Sequence, residues 1–144
     1  MAETISDSDT YDEVRYVFSV KGILMTNVPH RIKQLQPLRP AAFHILLVLA
    51  QGERHGYAVK QEVEKQTGGV VKLGPGTLYE SIQRMVELGL IEESARRPRK
   101  QEDQAQRRYY RLTDFGKQVF KAEVARLEET VQHARASLSS TKPA

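Results

Sequence analysis

The sequence predicts a mainly α fold with a small β-hairpin, and three observations carry that expectation. Apolar residues recur at helical spacing in four segments between Pro40 and Leu138. Two runs with strand character, "LIEESAR" and "RRYYRLT", flank the polar stretch "RPRKQEDQAQ" and read as a hairpin with a long basic tip. The chain has 144 residues and no Cys. That is enough for one modest core, and it excludes a disulfide framework, a thiolate metal site and a cysteine nucleophile.

The opening "MAETISDSDTYDE" is polar and acidic and is expected to be disordered, while "VRYVFSVKGILM" alternates aromatic and aliphatic residues without clear boundaries. Residues 1–36 are therefore set apart as an N-terminal extension. A regular pattern begins at Pro40, a residue suited to the first turn of a helix, and runs through "AAFHILLVLA" to Gly52 as a stop. That apolar run is about half the length of a membrane span, so it reads as a core helix that other elements must cover. A second, amphipathic helix follows in "AVKQEVEKQTGG", with Val59 and Val63 one turn apart and a double Gly where a C-cap belongs.

"VVKL" is a short extended link to "LGPGTLYESIQRMVELGLIEE". There Gly74 serves as N-cap, Pro75 suits the first helical position, and Leu78, Ile82 and Met85 mark a buried face that ends before Gly89. After the hairpin, Thr113 N-caps a last helix with Asp114 in its first turn. Phe120, Val124, Leu127, Val131, Ala134 and Leu138 recur along it at spacings of 4 and 3, a stripe narrow enough to be a coiled-coil-like seam.

Helix, helix, helix and hairpin is the order of a winged helix-turn-helix, here over residues 37–112, with residues 113–139 as a C-terminal dimerisation helix. Charge points the same way. Residues 1–13 carry a net −5, residues 14–40 a net +5, residues 41–95 a net −2, residues 96–112 a net +5 and residues 113–144 a net +1. The hairpin segment alone exceeds the whole chain's +4, so a polyanion is the expected partner. With Leu78, Ile82 and Met85 turned inward, Thr77, Glu80, Gln83 and Arg84 face outward and Tyr79 lies at the margin. Gly and Pro at the helix start allow its positive end to approach a duplex closely.

Catalytic, metal and nucleotide sites are not expected, and no cofactor is implied. His30, His44, His55 and His133 share no ligand spacing. Ser81 has no neighbouring His in sequence, and "GPGT" lacks the Lys and Ser/Thr of a phosphate-cradling loop. His55 reads instead as a structural residue at the turn before the second helix. Tyr110 and Leu112, alternating inward on the second hairpin strand, read as core. No span for a membrane is present, and a cytoplasmic location is expected.

The motifs "HGY", "GPGTLY", "GLIEE" and "RRYYRLT", in that order across residues 38–135, resemble the PadR family of bacterial transcriptional regulators. The resemblance implies a winged-helix repressor that binds palindromic operators as a homodimer, its C-terminal helix packed on its partner's first helix. Matched position by position, the implied DNA surface comprises Tyr57, Lys60, Pro75, Gly76, Thr77, Tyr79, Arg84, Arg107 and Arg108. Glu80 departs from the pattern, sitting where relatives often carry a small or basic residue. At a base edge it would accept from a cytosine amino group.

Some members of that family respond to phenolic acids or planar drugs. A small-molecule effector is thus a partner class that the resemblance brings in, although a chain without Trp has no indole to line a drug cavity. A second reading keeps the same fold and makes it a protein-interaction module whose basic wing binds an acidic partner.

Overall fold

The computed structural model of the protein describes residues 22–95 and 108–140. The acidic start of the chain and most of the basic loop, including Arg96, Arg97, Arg99, Lys100 and Arg107, lie outside the described residues. The chain divides into two compact units, Met1–Gln36 and Pro37–Ala144. In the first, helix α1 spans Gly22–Leu35 with Pro29 inside it. The missing N–H of Pro29 removes one bond of the ladder, and the helix carries no acidic residue in its first turn and Lys33 in its last.

In the second unit, α2 (Pro40–Ala50) starts on a Pro and buries Ile45, Leu46, Val48 and Leu49. A two-residue strand, β1 (Arg54–His55), precedes α3 (Gly56–Gln66), which buries Val59 and Val63. His55 is the N-cap of α3, its Nδ1 accepting from the Ala58 amide at 3.1 Å. The turn after α3 is held by Thr67, whose hydroxyl donates to the Val63 carbonyl at 2.8 Å and accepts from the Val71 amide at 3.1 Å. Gly68 and Gly69 take φ of 60° and 81° there, a backbone that side chains resist.

Helix α4 (Pro75–Glu87) then buries Leu78, Ile82 and Met85, the face expected from its spacing. Strands β2 (Ile91–Glu93) and β3 (Tyr109–Leu112) are antiparallel, pairing Ile91 with Leu112 and Glu93 with Tyr110. The expected two-stranded hairpin is in fact part of a three-stranded sheet in the order β1-β3-β2, with Arg54 opposite Tyr110 and His55 opposite Tyr109. Leu112 is buried as expected, whereas Tyr110 is only half-buried.

Helix α5 (Asp114–Ser140) is anchored at its start by Thr113. The Thr113 hydroxyl accepts from the Gly116 amide at 2.9 Å and donates to the Gly89 carbonyl at 2.5 Å, while the Thr113 amide donates to the Leu90 carbonyl at 3.1 Å. The inward line of α5 differs from the expected stripe. Gly116, Val119 and Glu123 are buried, and Phe120, Val124 and Leu127 flank them half-buried.

The reason is steric: a Cβ at Gly116 would collide with the Leu90 carbonyl, so glycine lets α5 lie on that carbonyl and turns residues 116, 119 and 123 inward. Phe120 meets Phe43 of α2 in the same chain at a ring-centroid distance of 5.5 Å. Glu123, 1 % exposed, accepts from the Leu38 amide at 2.7 Å and from Arg126 at 2.7 and 3.0 Å. That bond with Glu123 raises the ionisation of Arg126 further.

Candidate nucleic-acid interface

The start of α4 is bare. Gly74 caps it without a side-chain hydrogen bond, and the first helical bond runs from the Leu78 amide to the Gly74 carbonyl at 2.9 Å. Pro75 has no N–H, so the amides of Gly76 and Thr77 precede the ladder at the positive end of the helix. Pro75, Gly76, Thr77, Glu80, Gln83 and Arg84 are all exposed, and Tyr79 is 41 % exposed. No Cβ would meet a neighbour within 4 Å at Gly74 or Gly76. Bulk is absent here because the sequence omits it and not because a neighbour forbids it.

Helix α3 adds Tyr57, 51 % exposed, at its first turn. Lys60 stands one turn on, half-buried, its Nζ 5.9 Å from the Tyr57 ring centroid and 3.4 Å from Glu64. Of the two wing residues singled out in sequence, Arg108 is exposed and lies 3.7 Å from Glu93. Arg107 is outside the described residues.

Two residues near this surface were not placed there by sequence. Tyr110, read as core, sits half-buried on the middle strand, and Arg54 lies on a strand too short to leave a periodic signal. Burial, and then the nearby Glu93, push the Tyr110 phenol above its ordinary value, with Arg108 opposing and Tyr79 adding to the rise. Among the described residues no group of three His, Cys, Asp or Glu is placed to hold a metal ion. Nor is any helix among them long and apolar enough to cross a membrane.

Along α5 the stripe expected to pair with another helix loses its cover toward the C-terminus. Phe120, Val124 and Leu127 are half-buried, whereas Val131 is 47 % and Leu138 77 % exposed and Ala134 is also exposed.

Solved structures similar to this chain include transcriptional regulators. A transcriptional regulator from Clostridium thermocellum is 23 % identical, with a TM-score of 0.55 over 67 % of this chain and 87 % of that one. RosR of H. salinarum is 31 % identical, with a TM-score of 0.51 over 69 % of this chain and 79 % of that one. Bacillus subtilis PadR, solved in complex with operator DNA, is 23 % identical, with a TM-score of 0.52 over 61 % of this chain and 48 % of that one. No curated protein matches the chain. Residues 45–122, more than half of the sequence, match the transcriptional regulator PadR-like family, and the chain belongs to that family.

Proposed function

We propose that the protein is a sequence-specific DNA-binding repressor that acts as a homodimer on a palindromic operator in the cytoplasm. The observation that carries this reading is the start of α4: a sterically bare helix N-terminus without a side-chain cap, with an exposed polar face. Such a helix end accepts phosphate and can enter a major groove. Thr77, Glu80 and Arg84 read base edges, and Pro75 and Gly76 allow the close approach. Tyr57, Lys60, Tyr79, Arg107 and Arg108 hold the duplex backbone.

Residues 37–112 form the DNA-binding domain in this reading. Residues 113–139 present Phe120, Val124, Leu127, Val131, Ala134 and Leu138 to a second copy. The DNA complex of B. subtilis PadR, which shares the fold, supports the assignment. Selection of binding sites from random duplexes, followed by gel-shift with the gene's own upstream region, tests it. A palindromic consensus bound tightly is the expected outcome. If no duplex is preferred and an acidic protein is retained instead, the function is protein interaction.

A further inference from the structure

The wing strand β3 presents two faces to two different surroundings. Side chains alternate along a strand, and residues paired across it share a face. Tyr109 and Arg111 lie on one side, Tyr109 against the His55 ring at 5.6 Å and Arg111 against Glu92 at 3.0 Å. Tyr110 and Leu112 lie on the other, with Arg54 and Glu93 as the cross-strand partners of Tyr110. Leu112 is buried, so this second face is the one turned toward the helices, and Tyr110 stands at its wing end.

Tyr79 of α4 closes the same seam. Its ring edge lies 3.5 Å, and its hydroxyl 3.9 Å, from where a Cβ of Gly56 would be. The ring therefore rests against the first turn of α3 and does not swing freely. Gly56 follows directly on β1, whose Arg54 is the cross-strand partner of Tyr110, so the Tyr79 ring packs two residues along the chain from that pair. The Nε of Arg54 is shut off from water and has no hydrogen-bond partner among the described residues. Arg108 holds Glu93 only loosely, at 3.7 Å with both side chains about half-exposed, and such surface pairs yield readily to a better anion.

Among the described residues the surroundings of Tyr110 are one-sided: its cross-strand partners are Arg54 and a single carboxylate, Glu93, and Arg108 stands 3.7 Å from that carboxylate. A ligand that accepts at several oxygens and carries negative charge fits them, as a DNA backbone phosphate does. We propose that Tyr79, Tyr110, Arg54 and Arg108 seat one phosphate of the duplex between α4 and β3, and that Tyr110 fixes the seat. This rests on the DNA-binding reading above and adds Tyr110 and Arg54 to it. Because burial favours the neutral phenol, Tyr110 remains a donor across the physiological range.

The test uses the full-length protein and a duplex selected by the wild type, synthesised with one uncharged methylphosphonate at each backbone position in turn. For wild type, one position in each half-site should lose about tenfold in affinity when neutralised, the scale of a hydrogen bond to a charged group. Tyr110→Phe should bind the unmodified duplex about tenfold more weakly. It should also be indifferent to neutralisation at that one position while keeping every other sensitivity. Arg54→Gln should lower the slope of log K against log salt by about one for each protomer.

Tyr109→Phe, on the opposite face, should reproduce the wild-type profile and shows that loss of a phenol from β3 is not itself the cause. A Tyr110→Phe profile parallel to wild type at every position overturns the proposal, since a loosened fold would weaken the whole interface alike. Wild-type protein that selects no duplex removes the DNA-binding reading itself, and this seat with it.

Discussion

Replacing Gly116 by Ala tests the joint on which α5 is mounted. The added methyl would strike the Leu90 carbonyl, lying 2.9 Å from its carbon and closer still to its oxygen, where carbon atoms prefer about 3.5–4.0 Å. Relief requires α5 to retreat by roughly 1 Å or Leu90 to shift. Leu90 is 1 % exposed and cannot shift freely, and its carbonyl accepts from the Thr113 amide at 3.1 Å.

Overpacking costs about 1–3 kcal/mol, and weakening the two or three Thr113 hydrogen bonds adds about 1 kcal/mol each. A total of about 3–6 kcal/mol follows. For a unit of this size that lowers the midpoint of thermal unfolding by on the order of 15 °C or more. Circular dichroism during heating, with urea unfolding for the free energy, measures it. Gly76→Ala is the control, because its Cβ meets nothing within 4 Å and Ala favours helix. It should leave stability unchanged or raised while reducing DNA affinity. A Gly116→Ala protein within about 1 kcal/mol of wild type would show that α5 does not lie on Leu90 as described.

Changing Arg107 and Arg108 together to Ala should weaken binding to all sequences alike and reduce the slope of log K against log salt by about one for each phosphate that a protomer no longer neutralises. An unchanged slope removes the wing from the interface. Glu80→Ala should alter the preferred base pairs, with about 1–3 kcal/mol at stake for direct base recognition. A selection from random DNA that returns the wild-type consensus at equal information shows that Glu80 reads no base. Leu127→Asp places an unpaired charge in the seam, which should cost several kcal/mol and shift the dimer toward monomer. Sedimentation at micromolar concentration, with circular dichroism to confirm folding, checks it, and a wild type that runs as a monomer refutes the seam.

Much of the winged unit is legible because its signals are local. Pro40 and Pro75 mark helix starts, Gly89 marks a stop, and Leu78, Ile82 and Met85 fix a buried face within three turns. The outward face of α4 follows by subtraction. What escaped depends on distant partners. Arg54 and His55 become a strand only because Tyr110 and Tyr109, more than fifty residues later, lie beside them, and two residues have no period of their own.

Gly116 looks in sequence like an ordinary glycine inside a helix, since nothing nearby announces a carbonyl from residue 90. Glu123 reads as a polar flank of the seam, yet it is buried because Leu38 and Arg126 satisfy its oxygens. Pro29 argues against a continuous helix over Gly22–Leu35, and α1 accommodates it with one bond fewer. Tyr110 obeys strand alternation but stands at the open end of its face, where the helices no longer cover it fully.

The bond from Leu38 to Glu123 spans 85 residues of sequence and fastens the link ahead of α2 to the middle of α5. The start of the winged unit and the helix that follows it are thereby held on one carboxylate, so neither can peel away at this point without exposing a charge that is otherwise sealed from water. Unravelling from the termini, the usual first route of exchange and proteolysis, is closed at this point. The Leu38 amide, though it belongs to no helix or strand, should exchange with solvent as slowly as amides of the surrounding core. A protease that trims the chain from its start should stall just before it.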